Sequence, residues 1–338
     1  AKDLEELLPL VNYRNSRRFW FVSDFFHGED IHQRGHLDFI LRKAVRLGMD
    51  PVTAVQLVTL NPAEYFGLKD RGAVAPGYRA DLVVLNDLED FEVASVCKDG
   101  QFVVDDGALV NYPATGRGIP FLQPEPLNIA PLRSDSFRIH HPGGRARVIE
   151  LVPGQIVTRM LYEEVKSING FVAPDVERDV LKLCVLERHY ASGRLGLGLV
   201  RGFGLKQGAI ASSVAHDSHN VIAVGVSDEE IFRAVEVIRV SGGGLAVVCG
   251  NETLAKTPLE VGGLMSRQPI GTLVRQLKEI KEAASRLGCS LDDCFSALSF
   301  LALPVIPELK LTDRGLVDVN QFEIVPLFLD KAPKLSRS

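Results

Sequence analysis

The 338-residue chain is 46% hydrophobic with a formal net charge of −5, a composition that supports sizeable buried cores and argues for two or three domains. It has no basic stripe and no aromatic–basic interleaving, so neither nucleic acid nor an anionic membrane surface is an expected partner. No apolar run reaches membrane-spanning length, and the cysteines Cys97, Cys184, Cys249, Cys289 and Cys294 are odd in number and never spaced as metal pairs, which fits reduced core thiols in a cytoplasm.

In chain order, residues 2–11 read as a helix (Leu4, Leu7, Leu8), and residues 17–22 read as a buried parallel strand that stops at Asp24. A polar loop with His27, His32 and His36 follows. Leu37, Ile40, Leu41, Ala44 and Val45 then keep helical spacing, which places Asp24 at a strand-to-helix corner, where α/β folds put ligands and catalytic groups. Asp50-Pro51 is an N-cap with proline at the first helical position, Asn61-Pro62 repeats the device, and Gly67 closes the third helix after Asp24. One β/α unit cannot be a domain, since its strand needs neighbours, so the chain is expected to be the second part of something larger. Strand-like segments take over at 72–75, 80–85, 92–97 and 102–104, with Lys98-Asp99-Gly100 turning the last two into a hairpin.

Beyond about Pro120 the chain reads as one α+β domain, with strands expected at 145–151, 180–186, 209–214, 221–226 and 245–249. Ser227 with Glu230 is a capping box for a helix whose Ile231, Ala234, Val235 and Ile238 share a face. A second helix spans 272–287 and ends at Gly288, and Ser290 with Asp293 caps a third over 294–303. The runs Gly202-Phe203-Gly204 and Gly242-Gly243-Gly244 lack the strand, Gly-x-Gly-x-x-Gly, helix context of nucleotide binding.

The run Asp50-Pro51-Val52-Thr53-Ala54 through Asn61-Pro62-Ala63, followed by Ala75-Pro76-Gly77-Tyr78-Arg79-Ala80-Asp81-Leu82-Val83-Val84, resembles the end of an amidohydrolase-superfamily barrel and its small β-sandwich. Ser212-Ser213-Val214-Ala215-His216-Asp217-Ser218-His219-Asn220 narrows the resemblance to the adenine deaminases, and it extends over essentially the whole chain. The implied fold class is α/β plus α+β. Residues 1–68 would be the last β/α unit of a metal-dependent TIM barrel, 69–119 a small β-sandwich portion and 120–338 a C-terminal α+β domain. The family's other metal ligands precede the eighth barrel strand, so this chain would depend on a further N-terminal barrel part. Phe25 and Phe26 stand where relatives often carry a second acidic residue and an arginine.

The resemblance implies hydrolysis of adenine to hypoxanthine and ammonia, by a cytoplasmic homo-oligomer holding a divalent metal, manganese or iron with zinc as the alternative. Asp24 would be both metal-associated and the catalytic proton carrier, and its bland alternative is a helix cap. His27 would approach the substrate, while His32 and His36 read as loop or helix-start residues, and His140-His141-Pro142 as a turn without metal. His216 and His219 either line the purine pocket where the accessory domain faces the barrel mouth, bind metal, or form a hydrogen-bonded turn that orders the domain. A non-catalytic structural or ligand-binding module is the alternative function.

Overall fold

The computed structural model describes residues 3–24, 26–111 and 126–329, so Phe25 and the expected domain boundary at 119/120 lie outside the described residues. The chain divides into two compact units, Ala1–Phe121 and Leu122–Ser338.

The first unit opens with α1 (Leu4–Leu7), which tightens into a 3₁₀ turn over Leu8–Leu10. Four helices follow Asp24, α2 (Gly28–Arg34), α3 (Leu37–Arg46), α4 (Pro51–Gln56) and α5 (Leu60–Tyr65), one more than the sequence suggests, because the His-containing loop is largely helical. Asp50 caps α4 as expected, its carboxylate accepting from Thr53 N at 2.8 Å. Asn61 does not cap α5, which starts at Leu60 after Thr59. Buried instead, Asn61 donates from Nδ2 to Ser16 O at 2.9 Å and Phe19 O at 2.8 Å.

That contact explains a larger correction. Ser16–Arg18 is a 3₁₀ turn and the residues after it run extended without a ladder, so the expected parallel strand at 17–22 is not a strand. Strands exist only by pairing, and here the backbone bonds go to helical residues: the Asn61 side chain takes two carbonyls, and Phe21 N donates to Leu57 O at 3.0 Å. The strand expected at 72–75 is also absent. Gly72, at φ +92°, packs so close that a Cβ would lie 2.7 Å from that of Ala63.

An antiparallel meander completes the unit: β1 (Leu82–Leu85), β2 (Val93–Lys98), β3 (Gln101–Asp105) and β4 (Ala108–Leu109). Asp99 and Gly100 both take positive φ, 50° and 79°, as the mirror-image turn of a two-residue hairpin requires. Phe91 leaves the sheet to fill the core with Leu41 and Ala54, and Phe21, Val45, Met49 and Leu85 pack around them.

The second unit is built on an eight-stranded mixed sheet. Its members are β5 (Arg145–Leu151), β6 (Thr158–Glu164), β9 (Leu181–Leu186), β10 (Leu195–Arg201), β11 (Ala209–Ser212), β12 (Val221–Gly225), β13 (Gly244–Cys249) and β14 (Glu252–Pro258). The short hairpin β7 (Ser167–Ile168) and β8 (Phe171–Val172) pairs apart from it. The order is β14-β13-β11-β12-β9-β10-β5-β6, and every pairing is antiparallel except β10 with β5. β9, β11 and β12 are buried throughout and β13 nearly so, which is why they read as largely apolar runs, broken in β9 by Lys182.

The two faces separate by period two. Leu183, Val185, Ile210, Ile222, Val224 and Val247 share one core with α7 (Ile270–Arg286), α8 (Cys294–Phe300) and the hairpin strands β15 (Leu309–Thr312) and β16 (Gly315–Asp318), which β17 (Glu323–Val325) extends. Cys184, Leu186, Ala211, Ala223, Ala246 and Val248 form another under α6 (Asp228–Val240), through its buried Ile231, Ala234, Val235 and Ile238. Burying such a stripe stabilises the fold by about 1.5–3 kcal/mol per large aliphatic side chain. Ser227 caps α6, as expected, by accepting from Glu230 N. Asp293 itself, not Ser290, caps α8, accepting from Ser296 N at 3.0 Å. Gly196 admits the β15–β16 hairpin onto β10, where a Cβ would overlap Thr312 O.

This packing leaves Lys310 in electrostatic difficulty. Fully buried on β15, its ammonium donates to Ile156 O at 2.8 Å, and desolvation pushes its pKa down to about 8. Its folded pKa lies below the unfolded one, so the cost of burying the cation is complete below pH 8 and fades as pH rises towards 10.5. Lys310→Met should therefore raise stability at pH 7 by about 2 kcal/mol in denaturant melts, and the gain should shrink at alkaline pH.

Candidate functional site

Asp24 lies at the corner between the extended segment and α2, exposed, with φ +21°, an unusual conformation for a non-glycine residue. Phe26 N donates to Ser23 O at 2.8 Å and closes a turn around it. His36, the residue before α3, reaches back to place Nε2 2.7 Å from Ser23 Oγ, and Phe26 packs edge-on to its ring at 6.2 Å. The corner is thus held from both sides while its carboxylate faces solvent. His27 is half-buried at the start of α2, and its N–H donates to Asp30 Oδ2 at 3.3 Å. His32 is an exposed residue within α2, not a loop residue.

His216 and His219 belong to the second unit, in the connection between β11 and β12. They do not sit on one helical turn. The loop is a hydrogen-bonded turn in which His219 N donates to Ala215 O at 2.6 Å and Ala215 N donates to His219 Nδ1 at 3.3 Å. The rings lie 5.7 Å apart, and His216 packs on Phe300 at 4.7 Å. Burial first, then the charges of His216 and Arg188, lower the His219 pKa, so its ring is neutral near pH 7. With Nδ1 accepting, the proton of that neutral ring belongs on Nε2. Asn220, buried beside it, has an Oδ1 that finds no hydrogen-bond partner among the described residues.

The turn is anchored by Arg188 and His189, in a loop that Glu187 orders, three residues that the sequence reading passes over. Glu187 is 1% exposed, which opposes ionisation. Its carboxylate nevertheless accepts from Ser192 N, Ser192 Oγ, Tyr190 N and His189 N, and these bonds outweigh burial to hold its pKa at about 2. His189 Nε2 lies 2.8 Å from Ser218 O. The legible signal was the charged burst directly after the strand-like segment 181–186. His140 and His141 are not simply a turn: His140 forms an isolated antiparallel bridge with Phe171, and His141 N donates to Gly170 O at 2.9 Å while its Nδ1 accepts from Gly143 N at 3.1 Å. The glycine runs are structural as well: Gly202 N and Gly204 N donate to the Asp179 carboxylate at 2.8 and 2.9 Å.

Among the described residues no three His, Cys, Asp or Glu side chains converge as a metal would require. A divalent metal therefore does not fit these residues by themselves, and Asp24 offers a single carboxylate. No helix among them is long and apolar enough to cross a membrane.

Residues 155–323 match the family described as the adenine deaminase C-terminal domain, and residues 3–103 match the amidohydrolase family. An adenine deaminase of Desulfatibacillum aliphaticivorans is 48% identical over 328 residues, 97% of this chain and 57% of that protein. One from Dehalococcoides mccartyi is 47% identical over 96% of this chain and 57% of its own length, so the chain spans little more than half of the curated relatives it matches. A solved β-aspartyl dipeptidase of Fervidobacterium islandicum aligns with 24% of this chain and 21% of its own at 28% identity, and its TM-score of 0.22 carries no argument.

Glu187→Gln would turn an amide N–H₂ towards main-chain donors and leave at least one of them unsatisfied, at a cost of about 1–3 kcal/mol in chemical denaturation. Because the folded pKa is depressed, the wild type keeps this contribution above pH 4.5 and loses it as pH falls towards 2. The variant's acid limb should lack that loss.

Proposed function

The chain belongs to the adenine deaminase C-terminal domain family, and from that premise we propose that it is the C-terminal part of an enzyme that hydrolyses adenine to hypoxanthine and ammonia. The observation that carries the reading is identity of 48% to an adenine deaminase across 97% of this chain, from the amidohydrolase-like segment through the C-terminal domain.

In this reading residues 1–68 are the last β/α unit of an amidohydrolase barrel completed in the full-length enzyme, and the match of residues 3–103 to the amidohydrolase family supports it. Asp24 stands at the corner before α2. A divalent metal, manganese or iron with zinc as the alternative, would supply an acidified water, with its remaining ligands in the part of the polypeptide beyond the matched span. Asp24 is the proton carrier. Its carboxylate takes a proton from the water that attacks C6 and delivers it to the departing amine as the C6–N6 bond breaks. An exposed carboxylate at a constrained corner can reach both positions, and its strained backbone is of the kind that functional sites retain. His27, His216 and His219 contact the adenine. The neutral His219, with its proton on Nε2, offers a donor to a ring nitrogen of the purine. The enzyme is read as a cytoplasmic homo-oligomer.

Asp24→Asn in the full-length enzyme should lower kcat by at least about a hundredfold, the usual cost of losing a general acid–base group, with the melting temperature unchanged. Near-normal turnover would remove Asp24 from the mechanism.

A further inference from the structure

One buried cation fastens the loop that carries His216 and His219. Arg188 follows β9 by two residues and is 7% exposed. Its Nε donates to His219 O and its Nη2 to Gly262 O at 2.9 Å, so the guanidinium joins the β11–β12 turn to the loop after β14. Both described contacts are to main-chain carbonyls, not to a carboxylate. Burying a guanidinium against neutral oxygens is costly, and desolvation accordingly lowers its pKa. A fold that needed only stability would do as well with an apolar side chain there.

The surroundings are built to the shape of this group. Gly263, at φ +74°, lies so close that a Cβ would come within 2.7 Å of Arg188 Nη1. Ser213 Oγ donates to Gly263 O at 2.6 Å and accepts from Gly244 N at 2.7 Å, drawing the start of β13 into the same cluster. A Cβ on Gly243 would lie 2.3 Å from Gly263 Cα, so the backbones meet without intervening side chains. His219, at φ +50°, receives Arg188 on its carbonyl, and its ring is fixed through Nδ1 by Ala215 N. His216 lies between that ring and Phe300. A shift of the His219 main chain therefore moves both imidazoles.

We propose that Arg188 is the positioning residue of this site, its two-pronged hold on the His219 and Gly262 carbonyls fixing the two histidine rings in the orientation that meets adenine. The inference rests on the reading of His216 and His219 as adenine-binding residues. Lysine keeps the charge but cannot span two carbonyls in the fixed geometry of a guanidinium.

The test is steady-state kinetics of the full-length enzyme with Arg188→Lys, His216→Gln and His219→Gln. Arg188→Lys should raise KM for adenine about tenfold with kcat within about twofold, the effect of misplaced binding groups, and both histidine variants should raise KM as well. If the histidine variants raise KM while Arg188→Lys lowers only the folded fraction, with normal KM per folded molecule, the positioning role is overturned and the adenine-binding reading survives. If neither histidine variant changes KM, that reading falls and this inference with it. Should Arg188→Lys not fold, Gly263→Ala displaces the guanidinium with its charge intact. It must raise KM in the same way, and a normal KM there also overturns the proposal.

Discussion

A sheet covered on both faces has no place for a polar side chain except its ends. In the second unit β9, β11 and β12 are buried along their whole length, with α6 on one face and α7, α8 and the β15–β16 hairpin on the other. Where a charge does enter the middle it is paired at once: Lys182, under α6, meets Asp228 at 2.5 Å. A cluster of polar residues collects at one end, where Glu187, Arg188, Ser213, His216, His219 and Asn220 lie in the loops that close the strands. The chemistry of this unit is a consequence of how its core is covered.

The first unit works under a different constraint. Its core is small, centred on Leu41, Ala54 and Phe91, and the segment leading to Asp24 is held by helix residues in place of sheet neighbours. Trp20, Tyr65 and Phe66 stack at the surface, with ring centroids 4.4 Å apart for Trp20–Tyr65 and 4.9 Å for Tyr65–Phe66, while Tyr65 and Phe66 remain about two-thirds exposed. A carboxylate presented on so lightly built a corner depends on Ser23, Phe26 and His36 for its position.

What the sequence made legible were features written in neighbouring residues. The cap at Ser227 with its four-residue apolar stripe, the Asp99-Gly100 turn and the doubly buried strands all follow from local pattern, and the structure has them. The failures share a cause, which is that a distant partner decides. Residues 17–22 look like a strand but have no ladder: Asn61, read as a cap, takes the carbonyl of Phe19 and that of Ser16 just before them, from more than forty residues away. β10 was missed because its glycines at 196 and 198 weaken the strand pattern, yet they are there to admit Thr312 and Leu311. Arg188 was passed over because its value lies in contacts with Gly262 and His219, which no spacing rule connects. His216 and His219 were singled out from sequence, whereas the hydrogen-bonded form of their turn required the fold.

The central claim is that this chain is the C-terminal part of an adenine-hydrolysing enzyme, and product analysis tests it most directly. Adenine is incubated with the folded, metal-loaded full-length polypeptide, and hypoxanthine and ammonia are quantified together. The account predicts one ammonia for each hypoxanthine, with turnover proportional to enzyme. A correctly folded and metal-loaded full-length protein that leaves adenine unchanged would contradict it.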